Sequence, residues 1–149
     1  MAPPRGGEAV TLPSLTRQRD AERSALLGDT CPMITQALPY VAHSTIRNRG
    51  TVGGSLAHAD PAAELPAVAT ALGAEFTVQS ARGSRVIAAD DFFESYFTSA
   101  LAEDEVLVSV TFPSLRSGEG TAWEEFAPGT VTSRSSVWQR RSRWTPRAW

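Results

Sequence analysis

Apolar residues follow a helical period through most of the first half of this chain and alternate with polar ones in the second half. The opening GGEAVTLPSLTR departs from the first rule and reads as a strand entering from Gly7, with Val10, Leu12 and Leu15 as candidate core residues. TRQRDAERSALLGD then predicts a polar helix that turns Ala21, Ala25 and Leu26 inward and stops near Gly28. A second helix is predicted from Pro32 to Val41, where Met33, Ile34, Ala37 and Leu38 recur at helical spacing. In ADPAAELPAVATALGA, Asp60 reads as an N-cap, Pro61 as the first helical residue and Gly73 as the stop. Pro66 has no N–H to donate, which predicts either a kink or a first turn that restarts there.

The period then changes. AEFTVQS, the turn ARGS and RVIAA predict a β-hairpin with Phe76 and Val78 on its apolar face. DDFFESYF predicts a short helix capped by Asp90. EVLVSVTFP is the strongest strand signal in the chain, rich in β-branched residues and ended by Pro113. A strand, two helices, a glycine turn, another helix and a strand-rich meander together predict an α+β fold, with helices gathered on an antiparallel sheet.

Composition narrows the class. The 149 residues suffice for one domain with a real core, and 42% apolar with 20% charged residues is ordinary for a globular protein. A formal net charge of -2 gives no general attraction to nucleic acid. No apolar run reaches the length of a bilayer span, and MAPPRGGEAV contains no apolar signal region. The single cysteine, Cys31, excludes an internal disulfide and fits a packing role, so the expected location is the cytoplasm.

The stretch richest in chemical possibilities is IRNRGTVGGSLAHADPAAELP, Ile46 to Pro66. Gly53 and Gly54 permit positive φ and close approach by another group. Successive N–H groups in Thr51–Ser55, with the hydroxyls of Thr51 and Ser55, would form a concavity suited to phosphate oxygens, a pyrophosphate better than a carboxylate. A tight crossing of two chain segments would equally require the glycines. The run lacks both the Walker ending and the GxGxxG fingerprint, so spacing alone leaves both readings open. His43 and His58 have no acid or cysteine at ligand spacing to complete a metal site. Arg47 and Arg49 fit either anion steering or pairing with nearby acids. Glu64 suits the start of a helix and lies close enough in sequence to the turn to accept from ribose hydroxyls.

The run Ile46–Pro66 closely resembles the flavin-binding medium subunit of the xanthine dehydrogenase and carbon monoxide dehydrogenase family, which are molybdenum hydroxylases. The approach LTRQRDAERSALLGDTCPMITQALPYVAH and the later FFESYFTSALAEDEVLVSVTFP resemble the same family in the same order, so the likeness covers about Gly6 to Phe126. The resemblance implies a PCMH-type domain that holds FAD, with no side chain needed as acid, base or nucleophile. It implies that Thr51, Gly53, Gly54 and Ser55 hold the FAD pyrophosphate, that Glu64 takes the place of a cofactor-contacting aspartate, and that Leu107 makes a backbone and packing contact to the flavin. Val41 falls near the ring-contacting position, while the family's lysine has no counterpart in Ala122–Phe126. The implied partners are a molybdopterin-binding large subunit and an iron–sulfur small subunit that feeds electrons to the FAD for an external acceptor.

Two departures follow from the same resemblance. The family opens with a small subdomain carrying its own Gly-rich loop, and this chain starts after it, so residues 1–126 are expected to be the second subdomain alone. The remaining 127–149 contain no acid, five arginines and three of the four tryptophans, and are expected to be a disordered tail. Back-translated with GC-rich codons and read two nucleotides later, GTVTSRSSVWQRRSRW can give a string resembling the strand that opens the family's C-terminal domain. A reading-frame shift near Pro128–Gly129 is therefore the expectation, ahead of a basic arm that stacks on single-stranded nucleic acid. The alternative to a flavoprotein component is a non-catalytic remnant that binds no FAD and at most docks on partner subunits.

Overall fold

Along the sequence, helices occupy the stretch between an early strand and the strands of the second half. The computed structural model describes residues 9–126 and 136–143, with Phe126 and 136–143 described by backbone alone. In chain order the elements are β1 (Ala9–Pro13), α1 (Gln18–Glu22), α2 (Ala25–Thr30), α3 (Pro32–Ala37) with a 3-10 turn (Leu38–Tyr40), α4 (Ser44–Arg49), α5 (Val52–His58) and α6 (Glu64–Leu72). They continue as β2 (Glu75–Ser80), β3 (Gly83–Ala88), α7 (Ala89–Phe92), β4 (Phe93–Ser95), β5 (Thr98–Ser99), β6 (Val106–Pro113), β7 (Glu119–Phe126) and β8 (Ser136–Arg143).

Four antiparallel strands form the main sheet in the order β1-β6-β2-β3. The expected meander is thus interrupted: β6, the most β-branched segment, lies between β1 and β2 rather than at the end of the sheet. A central position suits it, because apolar side chains there gain neighbours on both sides. Leu12, Val110, Phe76 and Ile87 stand opposite one another in a row that crosses all four strands. Phe76 and Val110 are fully buried, and Phe76 stacks on Phe92 of α7 with ring centroids 3.9 Å apart. Met33, Ile34, Leu38, Leu56, Leu65 and Val68 cover this face from the helices. Each such side chain contributes about 1.5–3 kcal/mol when removed from water.

The helical half matches its pattern in some places and not in others. Met33, Ile34, Ala37 and Leu38 are all fully buried, as their spacing predicts. The first predicted helix divides in two. The Ser24 hydroxyl accepts from Leu27 N and starts α2, which shifts the inward face by one residue. Leu27 is therefore buried while Leu26 is 61% exposed and Ala25 is also exposed. Gly28 lies inside α2 and does not end it. Leu15 is 80% exposed, because β1 ends at Pro13 and the chain has left the sheet by that point.

Asp60 does not cap α6. Its carboxylate accepts from Ala62 N and closes a local turn over Pro61, and the helix begins only at Glu64. Pro66 then falls in the first turn, where no N–H is needed, so the restart is realised and the kink is not. Gly73 ends α6 in the left-handed conformation at φ 65°. DDFFESYF forms a single turn, with Ala88 rather than Asp90 at its N-cap, and passes into the β4–β5 hairpin. β7 pairs antiparallel with β8 from Glu119↔Arg143 to Phe126↔Ser136. The tail expected to be disordered spans 127–149; within it Ser136–Arg143 forms β8, while 127–135 and 144–149 lie outside the described residues.

Candidate functional site

Thr51 starts a helix. Its extended backbone (φ -109°, ψ 156°) and its hydroxyl, which accepts from Gly54 N at 3.0 Å, make it the N-cap of α5. Val52 N donates to Thr16 O at 2.9 Å and Gly53 N to Ser14 O at 2.8 Å. On the other side Gln18 N donates to Gly50 O, and Arg17 pairs with Thr51 in an isolated antiparallel bridge. The segment after β1 thus runs alongside Gly50–Gly53 as a short two-stranded contact.

This contact explains one glycine of the pair. A Cβ on Gly53 would lie 2.3 Å from Ser14 Cβ and 2.7 Å from Ser14 Cα, closer than packed atoms approach. Gly54 is exposed, and a Cβ there would meet only the Thr51 hydroxyl, at 2.8 Å. Neither glycine takes positive φ, contrary to the sequence expectation; both are helical, and close approach is the whole reason for Gly53. The expected cradle of successive N–H groups is already occupied: Val52 N and Gly53 N donate to the segment after β1, Gly54 N to the Thr51 hydroxyl and Ser55 N to Thr51 O.

An exposed surface remains at the first turn of α5, the Gly54 backbone, free of a side chain, with the half-buried Ser55 next to it. The helix N-terminus adds partial positive charge at the same place.

The other expected residues lie on several different elements. Glu64 is buried at the first residue of α6, which packs on α5. Leu107 lies in β6 opposite Val78, next to a register shift, and its side chain belongs to the core. α5 packs on β6 as well, so one helix links the three positions. Val41 is half-buried beside the 3-10 turn. Ala122–Phe126 is part of β7. His58 is exposed with its ring 5.1 Å from Phe97, and no cluster of metal-ligating side chains occurs among the described residues. An open cleft of about 630 Å³, lined by Asp60, Pro61, Pro66, Ala67, Phe93 and Tyr96, lies at the opposite end of α5 from Thr51.

Of the two readings offered for Arg47, the structure shows pairing with an acid and not anion steering. Its side chain is 9% exposed, its Nε donates to Glu22 Oε2 at 2.8 Å, and its Nη1 donates to the carbonyls of Val41 at 2.8 Å and Ala42 at 3.0 Å. Burial pushes the Glu22 carboxyl up, but hydrogen bonds from Arg47 and Arg19 outweigh it and hold the group below the usual range. No local motif reveals this pair, because its members are far apart in sequence.

The family described as "FAD binding domain in molybdopterin dehydrogenase" matches residues 4–115, and the chain belongs to it. It is 42% identical over 120 residues to the 6-hydroxypseudooxynicotine dehydrogenase complex subunit alpha of Paenarthrobacter nicotinovorans, covering 80% of this chain and 40% of that protein. It is 32% identical over 139 residues to the carbon monoxide dehydrogenase medium chain of Hydrogenophaga pseudoflava, covering 91% of this chain and 48% of that one. In the solved carbon monoxide dehydrogenase from Hydrogenophaga pseudoflava that lacks the Mo-pyranopterin moiety, one chain superposes with a TM-score of 0.81 at 32% identity. That superposition covers 87% of this chain and 45% of the other. The chain spans less than half the length of these relatives. It is an α+β FAD-binding domain of the molybdenum hydroxylase medium-subunit type, and FAD is its cofactor. No helix among the described residues is long and apolar enough to cross a membrane.

Proposed function

We propose that this chain is the second FAD-binding subdomain of a molybdenum hydroxylase medium subunit, and that the first turn of α5 holds the FAD pyrophosphate. The observation that supports the reading is the exposed Gly54 backbone, with Ser55 beside it, at a helix N-terminus inside the segment matched by the FAD-binding family. Thr51 sets the direction of that turn through its bond to Gly54 N, and Gly53 seats it against Ser14. Glu64 at the start of α6 and Leu107 in β6 are proposed as further contacts to the cofactor. The flavin, when bound, takes up and releases electrons, while the protein supplies binding and orientation.

In the whole complex the flavin would receive electrons from an iron–sulfur small subunit, fed by a molybdopterin-binding large subunit, and would pass them to an external acceptor in the cytoplasm. Support comes from relatives named as medium chains of dehydrogenases. The second reading, a remnant that binds no FAD, draws on the four N–H groups of Val52–Ser55 already spent on Thr16, Ser14 and Thr51. A fluorescence titration with FAD separates them. Saturable quenching that a Gly54→Trp variant loses is the expected result; a folded wild-type chain without quenching would leave the remnant.

A further inference from the structure

We infer that Arg47 is a positioning residue for the flavin site, holding α1, the Pro39–Ala42 segment and α4 in one arrangement from which Thr51 emerges. The inference rests on the reading of Thr51–Ser55 as the pyrophosphate contact. Four acceptors converge on this one side chain: Glu22 Oε2 on Nε, and the carbonyls of Pro39 (3.4 Å), Val41 and Ala42 on Nη1. Three of them are backbone groups of one loop, and the planar guanidinium is the side chain that can serve two directions at once.

The loop it holds is under tension. Ala42 takes a left-handed conformation at φ 40°, which an L-residue with a Cβ adopts only when its surroundings impose it. The Arg47 bond to Ala42 O is such an imposition. At the other end of α1, Gln18 N donates to Gly50 O and the Arg17 guanidinium donates to Arg49 O. α1 is thus fastened at its start to the residues just before Thr51 and at its end, through Glu22, to Arg47. The arrangement is a brace lying behind the turn, with Arg47 as the joint between its two arms. Solvation of a surface arginine would need none of these bonds, and anion steering would need the guanidinium to face water, which it does not.

The inference is tested on the full chain with Arg47→Lys, Arg47→Met and Glu22→Gln, by two measurements. Without FAD, amide hydrogen exchange is followed at residues 38–55 and, as a reference, at Phe76 and Val110 in the sheet. Arg47→Lys keeps the charge but not the fork, so exchange across 38–55 is expected to rise about tenfold while the sheet amides stay protected. With FAD, its dissociation constant is expected to rise roughly tenfold, a loss typical of groups that orient ligand-contacting residues. Unchanged exchange at 38–55 with unchanged affinity would overturn the inference, and so would a uniform rise that includes the sheet amides in a variant that remains folded. Should Arg47→Lys melt outright, Glu22→Gln asks the same question more gently: faster exchange confined to 38–55 supports the brace, and unaltered exchange refutes it. A wild-type chain that binds no FAD would overturn the pyrophosphate reading instead, and the exchange measurement would then decide the role of Arg47 alone.

Discussion

Ser14 and Gly53 are in contact so close that no side chain fits between them: a Cβ on Gly53 would stand 2.3 Å from that of Ser14. The same contact carries the Gly53 N–H to Ser14 O bond, so the glycine is fixed by the fold before any ligand is considered.

Gly53→Ala should therefore be far more costly than Gly54→Ala. Forcing a methyl against backbone atoms costs about 1–3 kcal/mol. At Gly54 the new methyl meets only the Thr51 hydroxyl and gains helix propensity worth up to about 1 kcal/mol, which offsets much of the crowding. Urea denaturation of both variants checks the order; equal losses would mean that Ser14 yields easily.

Thr51 gives a second separation. Thr51→Ala removes the cap and should destabilise the chain by about 1 kcal/mol, whereas Thr51→Ser keeps an oxygen for Gly54 N and should restore most of it. Denaturation midpoints that place serine with alanine would show that the threonine methyl matters and the cap does not.

The sequence disclosed the sheet better than the helices. Alternation in 75–88 is read directly because one face of β2 is buried, and Phe76 and Val78 lie where the pattern puts them. The insertion of β6 beside β1 escaped, since strand order is set by long-range pairing. Short helices were harder: the Ser24 cap moved the inward position from Leu26 to Leu27, and Asp60 satisfied its own turn instead of a helix. At the site, the residue types at Thr51–Ser55 were legible. That Gly53 serves a chain crossing and Gly54 an open surface was not, because the difference depends on Ser14, far away in the sequence.

Acid should weaken the fold through two carboxylates. Hydrogen bonds from Arg85 and from Ala102 N hold Glu105 down at about 2 from an ordinary 4.5, and Glu22 is lowered as well. The folded chain binds these protons less readily than the unfolded one, so their stabilisation is complete above pH 4.5 and is lost as pH falls toward 2. Glu105→Gln should flatten the dependence of the denaturation midpoint on pH over that interval. Parallel curves for variant and wild type would show that the Arg85 pair adds nothing.

Cys31 should be inert while the chain is folded. It is buried, its thiol lies 3.5 Å from Pro113 O, and burial pushes the thiol pKa up. Maleimide labelling should be slow in buffer and rapid in denaturant; rapid labelling in buffer would mean that α2 and α3 open readily near the end of β6.

The most direct test of the central claim is phosphorus NMR of FAD added to the wild-type chain and to Gly54→Trp. If the first turn of α5 holds the pyrophosphate, the diphosphate resonances should shift and broaden saturably with the wild type. The variant, with an unchanged melting temperature, should shift them at least roughly tenfold more weakly in affinity, a difference of about 1.4 kcal/mol. Flavin binding that leaves the phosphorus resonances unmoved, or that the tryptophan does not weaken, would contradict the account.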